Sequence, residues 1–583
     1  MTAAAQEGSG HYASDGRSPT APLASHVARI SCRSFRDKLG RPRNETLANL
    51  SALDDPMIAA VDKMPKGTTL VDVDDVFETE RSVPHADVAA AHVMAQKLGI
   101  ANLLGEACKQ RDIAYGLILA RALRPGSKLS TASWWESEDT TLGVDLGIDS
   151  ASTDDIYQAM DWLVTKQSKI EKRLAKRHLV ETGIAMYDLS SSWVEGTECE
   201  LAAFGHSRDT KRGKMQIEYG LLTDPDGRPV AVDVFKGNTS DPVSFKTAIR
   251  RVRDSFALKR LIMVGDRGMI TNTRIDDLRK LDGMDWITAL KAPQIAALAR
   301  DNGPLQMSLF DTHNFAEITH PDYPRERLIC CYRPSLASER ARKRESLLGS
   351  TEAELEKIKV SVAKGYSKDP EKIGIRVGKV INKRKVAKHF ITQITQGSFT
   401  YQRDEERIAA EAATDGIYVI RTSVEEDILD SAGAVSAYKN LKYVERDFRI
   451  TKADDLNLRP IYHYLADRVR AHVLICMLAA YLTWHLREAL AELTFTDQDI
   501  PYPDDPVAPA KRSKDARSKD ATKRNHDSLR VRSYQDLLDH LSTLDRQRIN
   551  FNGQRIEKLT VPTPVQRRVF ELLGAPIPLA LKL

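Results

Sequence analysis

The chain has 583 residues, too many for a single hydrophobic core, and about three to four folding units are expected. A formal net charge of +5 is small for this length, so a polyanionic partner has to be argued from local clusters. The six cysteines (Cys32, Cys108, Cys199, Cys330, Cys331 and Cys476) form no C-x-x-C pair, which argues against a zinc site or a disulfide framework and for a reducing, cytoplasmic setting.

Residues 1–25 are rich in Ala, Ser, Gly and Pro, carry no apolar signal segment and read as disordered. From His26 a basic hairpin is expected, with Arg33, Arg36, Lys38, Arg41 and Arg43 around a turn at 38–41. Residues 84–180 have helical periodicity. Within them AAAHVMAQKLGIANLLGEA suits a helix-turn-helix and equally an ordinary bundle. Start signals precede the helices expected in SKLSTASWW and STDDIYQAMDWLV.

From Gly183 the period changes to that of strands. GIAMYDLSSSWVEG is one. KMQIEYGLLTDPDGRPVAVDVFKGN gives two more, joined by a turn at Asp224-Pro225-Asp226-Gly227. Asp241-Pro242 opens a helix, Asp241 being most simply its N-cap. LIMVGDRGM is a short buried strand and DWITALK another, with a helix between them. The order implies a mixed sheet with helices packed on it. Residues 292–414 interrupt this pattern with a hairpin, a long charged helix and a basic run, Lys379, Lys383, Arg384, Lys385 and Lys388, leading into a second hairpin. A charge run is commonly a solvated face; beside a DNA-processing core it becomes a phosphate-binding candidate. His472–Leu486 is too short an apolar run to span a bilayer and reads as a buried helix. Residues 501–530, with a tandem RSKDA, read as a mobile linker.

The stretch Tyr438–Lys452, wound as one helix, places Ala437, Leu441, Val444 and Phe448 on an apolar stripe. Tyr438, Glu445, Arg449 and Lys452 fall on an adjoining stripe, within about 60° of one another. That is either an amphipathic surface helix with ion pairs or an acid held at the edge of a buried face. Two further acids, Asp188 and Asp266, stand where strands are expected to end. Three carboxylates of this kind suit a pair of hard divalent cations, which would clamp the attacking and leaving oxygens of a phosphoryl transfer.

With these residues in place, the chain resembles the DDE transposases of bacterial insertion sequences, of the insertion sequence family four type, whose signature is Y-(2)-R-(3)-E-(6)-K. Tyr438, Glu445 and Lys452 occupy their positions; Leu441 stands where the arginine is expected, with Lys442 one residue on. YDLSSSWVEG resembles the first-Asp motif and VGDRGM the second, and the likeness covers roughly residues 180–490. The resemblance implies an α/β, RNase H-like mixed-sheet core interrupted by an insertion domain. Asp188, Asp266 and Glu445 would hold two Mg²⁺ ions, with Mn²⁺ as a substitute. DNA contacts would come from Tyr438, Lys442, Arg449 and Lys452, with Lys383, Arg384 and Lys385 in the insertion. It also implies a homodimeric synaptic complex on double-stranded transposon ends and target, working in the bacterial cytoplasm and away from membranes. The expected organisation is a disordered 1–25, a hairpin and mainly helical DNA-binding region 26–180, core 181–291, insertion 292–414, core and C-terminal helices 415–500, linker 501–530 and an appendage 531–583.

Overall fold

The computed structural model describes residues 30–58, 77–137, 139–179, 183–209, 211, 213–239, 241–256, 260–300, 303–305, 307–310, 314–495, 513–551 and 553–583. The expectations for residues 1–25 and for the first part of the linker lie outside these. Two units form: Met1–Ser82 with Gln547–Lys558, and Val83–Arg546 with Leu559–Leu583.

In the first unit, β1 (Ile30–Arg36) pairs antiparallel with β2 (Pro42–Asn49), Phe35 opposite Arg43. Asp37 closes the turn by accepting the N–H groups of Leu39 and Arg41, and every residue of β2 is exposed. A second sheet places Asp545–Phe551 between β3 (Phe77–Pro84) and Gln554–Leu559.

The second unit begins with helices α1 (Ala86–Lys97), α2 (Ile100–Leu104), α3 (Lys109–Leu123), α4 (Lys128–Glu136), α5 (Leu142–Leu146) and α6 (Thr153–His178). Ser152 starts α6 with a reciprocal capping box to Asp155. The second helix of the expected helix-turn-helix, α2, is five residues long and buries Ile100, Leu103 and Leu104, while α1 is buried along most of its length. These helices do not form a core of their own. They share one with the sheet, through the helix Ala466–Ala489 that packs on α1, α3 and α6. That helix is longer than its most apolar run. By length and composition it could cross a membrane, yet 83% of its apolar window is buried inside the fold.

The sheet consists of β4 (Ile184–Trp193), β5 (Gln216–Thr223), β6 (Pro229–Lys236), β7 (Leu261–Val264), β8 (Met284–Ala289), β9 (Phe315–Ile318), β10 (Arg327–Tyr332) and, further on, Ile417–Thr422. Its order is β6-β5-β4-β7-β8, then Ile417–Thr422, β10 and β9. β7 runs parallel to β4 and β8; the other neighbours are antiparallel. Burial on both faces explains the near-continuous apolar runs. One face is covered by α7 (Asp241–Phe256), where Phe245 meets Tyr187; the other is covered where Phe448 meets Tyr219 edge-on, with ring centroids 5.6 Å apart.

Part of the expected insertion 292–414 belongs to the main sheet. RLICCY of β10 is apolar enough to be buried, and it joins the main sheet with Cys331 opposite Tyr418. A separate small core remains. It is built by α10 (Pro334–Ala363), α11 (Pro370–Lys383) and the hairpin β11 (Phe390–Thr395) and β12 (Ser398–Arg403), through Leu355, Ile373, Val377, Phe390 and Phe399. Of the basic run expected ahead of that hairpin, Lys379 and Lys383 are helical in α11, which starts at Pro370 with Asp369 as N-cap, and Arg384, Lys385 and Lys388 follow its end. In the expected linker, Lys514–Thr522 is helical. Beyond it, Tyr534, Leu537, Leu541, Val569 and Phe570 join the common core, so the C-terminal part of the second unit is no loose appendage.

Candidate metal centre

The register of β4 against β7 brings the first two acids together. Ala185 lies opposite Met263 and Met186 opposite Val264, where β7 ends. Carrying the register on by two residues sets Asp188 alongside Asp266, which lies in the turn that leaves the sheet. Asp188 was expected at a strand end. It sits instead inside β4, which runs on to Trp193, and it is β7 that stops early. Asp266 is exposed, and its Oδ1 accepts the N–H groups of Gly268 and Met269 at 2.9 and 2.7 Å, which sets the carboxylate plane.

Glu445 comes from the far side of the chain. Tyr438–Lys452, expected as one helix, is three pieces: α13 (Ser431–Lys439), α14 (Leu441–Arg449) and a π-turn, Ile450–Asp454. The break has a tertiary cause. Asn440 donates its side-chain amide to the carbonyl of Pro225, and the β5–β6 turn packs on the next helical turn. Gly227 there has φ +86, and a Cβ would stand 2.7 Å from Tyr443 Cβ, so only glycine lets the two approach. Val444 and Phe448 fill the sheet face, and Glu445 is left exposed beside the other two acids.

Asp188 feels the other two carboxylates. Burial pushes the Asp188 carboxyl up to about 7, and Asp266 and Glu445 push it the same way. The Leu189 N–H on its Oδ1 and the Arg208 guanidinium oppose them. Burial and the same two acids also raise the half-buried Tyr438 phenol. A divalent cation would relieve this repulsion, and the donors are hard carboxylate oxygens, so the residues present fit Mg²⁺ or Mn²⁺. Among the described residues the only group that brings three ligand atoms within 4.8 Å of one another is Glu492, His526 and Asp527. The trio is thus an open arrangement rather than a closed one-ion cage. Glu492 already holds Arg568 in a two-pronged pair and accepts from Asn525.

The candidate DNA contacts separate. Arg449 is exposed, and Lys442 is exposed with its ammonium 4.9 Å from the ring of Tyr443. Leu441, in the place of the expected arginine, begins α14 and packs on the core. Lys452 does not share the face of Glu445. The π-turn carries it inward to 8% exposure, where its Nζ donates to Asp209 Oδ1 at 2.7 Å. Arg459 donates to the same oxygen at 2.7 Å. In sequence the residues around Arg208 and Asp209, His206–Lys214, are a polar stretch between two expected strands that reads as a solvated hairpin loop or an approach to DNA. Nothing in the local text marks a partner 243 residues away. At the end of α11, Lys383 and the capping Arg384 both reach Glu354, at 3.3 and 2.7 Å, and the exposed Lys385 follows with φ 58.

A search of curated protein sequences returns no match. Among solved structures, a piggyBac transposase synaptic complex with hairpin DNA is similar at 8% identity and TM-score 0.32, over 78% of this chain and 76% of that one. A Mos1 transposase paired-end complex with the left transposon end is similar at 13% identity and TM-score 0.14, over 30% of this chain and 61% of that one. The family model of the transposase DDE domain matches residues 193–482, a segment that carries Asp266 and Glu445 and begins five residues beyond Asp188.

Proposed function

We propose that this protein is a DDE transposase of an insertion sequence, with an RNase H-like core, that cleaves DNA at transposon ends and joins the freed 3′-OH to target DNA. The observation that carries the reading is the meeting of Asp188, Asp266 and Glu445, each of the last two acting on the ionisation of the first. The family match over residues 193–482 supports it. Asp188, Asp266 and Glu445 would hold two divalent cations, Mg²⁺ or Mn²⁺. Bound there, the ions would activate water and then the 3′-OH, and would neutralise charge on the phosphate under attack. Asp266 is pre-set by its two backbone N–H donors, and Glu445 by the packing of α14 on β5. Tyr438, on the helix before Glu445, would contact the DNA backbone near the trio. Exposed Lys442 and Arg449 extend from α14 as contacts to the DNA backbone, and Lys383, Arg384 and Lys385 are candidates on the insertion. The partner is double-stranded DNA, held by a homodimer in a synaptic complex in the bacterial cytoplasm.

The test is cleavage and strand transfer with end-bearing DNA and Mg²⁺. Asp188→Ala and Glu445→Gln are expected to abolish both. Full activity in either variant would overturn the assignment. Cleavage without joined product would make the protein a nuclease of the same fold.

A further inference from the structure

We propose that Lys128, His472 and Arg121 form a proton-sensitive brace beneath residues 456–459, which holds the π-turn behind the helix of Glu445 and lets it loosen as pH falls. The brace stands apart from the transposase reading.

Residues 456–459 hang between two supports. On one side they bond to the π-turn: the Leu456 N–H donates to the carbonyl of Ile450 and the Leu458 N–H to that of Thr451, both at 3.0 Å. Arg459 adds its bond to Asp209 at 2.7 Å, on the oxygen that also takes Lys452. On the other side the carbonyls of the segment are held from the helices. Arg121 of α3 donates to Leu456 O at 3.2 Å and to Gly126 O at 2.8 Å. His472, on the helix Ala466–Ala489, donates through Nε2 to Leu458 O at 3.1 Å, which leaves Nδ1 as an acceptor. Lys128 Nζ meets that nitrogen at 3.4 Å.

Arg121, Lys128 and His472 are all buried, each 5% exposed. A buried cation is ordinarily matched by a carboxylate. Here, among the described residues, the groups acting on the Lys128 charge are Arg121, which opposes it, and the Cys476 thiol, which burial keeps protonated. Lys128 is also the first residue of α4, where the free N–H groups of the helix oppose a positive charge. His463 packs on His472, with ring centroids 5.3 Å apart, and on Tyr157 of α6. Acids on the helices packed against α4 are engaged: Asp155 of α6 pairs with Lys109, Asp161 of α6 faces Arg468 at 3.5 Å, and Asp145 of α5 holds Arg546 at 2.8 Å. The cluster therefore closes best with Lys128 and His472 neutral. Burial and Arg121 push the Lys128 ammonium down from 10.5 to about 7. Burial, with Lys128 and Arg121, holds the His472 imidazole well below 6.5. Both folded-state values lie below the unfolded ones, so the proton-free forms favour the closed brace. It tightens as pH rises above 7 and loosens as pH falls toward 7, and His472 weakens it further below 6.5.

The test is hydrogen exchange of the full chain, read as protection factors of the Leu456 and Leu458 amides from pH 7 to 8.5. In the parent they are expected to rise roughly tenfold over that interval, because the closed state binds about one proton fewer than the open one. Amides in the small core of α10 and α11 should stay level. Lys128→Met, which keeps the length of the side chain and removes its charge, should abolish the rise. A level parent profile overturns the proposal without any variant having to fold. A rise that persists in Lys128→Met assigns the proton to another group and overturns it too. So does an equal rise in α11, which would mean opening of the whole chain. The profiles need neither DNA nor metal, so they are read independently of the cleavage assay that tests the transposase reading.

Discussion

Lys452 and Asp209, 243 residues apart in sequence, form a 2.7 Å ion pair buried where the π-turn leaves the helix of Glu445. Asp209 is shared with Arg459. Replacing Asp209 by Asn leaves two buried cations facing a neutral amide, and a loss of about 3–5 kcal/mol is expected. Lys452→Met leaves Asp209 paired with Arg459 and should cost clearly less. Urea unfolding midpoints of the two variants check this. Equal losses would mean that Arg459 does not share the charge.

Divalent ions are expected to stabilise the fold through the trio. At a hundred times its Kd, Mg²⁺ should add about 2.7 kcal/mol to the parent. Asp188→Asn and Glu445→Gln should lose most of that gain. Without metal, Asp188→Asn should unfold at a higher temperature than the parent, because a half-buried carboxylate facing two like charges is removed. Thermal melts with and without Mg²⁺ decide. An identical Mg²⁺ shift in all three proteins would rule out ion binding at these residues.

Glu171 carries a pH dependence remote from the trio. It is fully buried between α6, β6 and α7, where it accepts from the Val232 N–H and from Gln167 and pairs with Arg251 at 3.2 Å. Burial pushes its carboxyl up to about 7, above the ordinary 4.5. A folded-state value above the unfolded one means that the protonated form favours folding. The contribution is full below 4.5 and is lost as pH rises through 7, a change of order 3 kcal/mol. The parent should therefore lose stability between pH 5 and 8 by more than Glu171→Gln does. Parallel curves for the two proteins would refute this.

On α11, Lys372, Arg376, Lys379 and Lys383 recur at steps of four, three and four residues and are all exposed, so they line one side of the helix. Neutralising Lys372, Arg376 and Lys379 together should reduce the slope of log affinity for duplex DNA against log salt by about 2–3. Arg384→Gln alone should change the slope by less than about 1, since one contact is removed and Glu354 already engages Arg384. An unchanged slope in the triple variant would exclude this face from the DNA path.

The candidate site was largely legible as a set of acids, and hardly legible as a geometry. Asp188 and Asp266 were marked by expected strand ends and Glu445 by the edge of an apolar helix face, and the resemblance to the transposase motifs joined the three. The cations around Glu445 were less readable, because helical winding assumes an unbroken helix. The helix is interrupted at Asn440, where it bonds to Pro225, and the π-turn rotates Lys452 out of the stripe it would have shared with Glu445. The breadth of the insertion was misjudged for a related reason. A buried strand such as β10 has the same text whether it closes a small domain or extends a large sheet.

The amino-acid sequence by itself determined the local elements: the strands with their period of two, the turn at Asp224–Gly227 and the capping box at Ser152. These depend on residues within a few positions of one another. Only the tertiary structure decided which acid stands beside which, that Asp266 follows a strand ending opposite Met186, and that Asp209 receives Lys452. Those outcomes depend on pairings across tens to hundreds of residues, where register and burial outweigh any local preference.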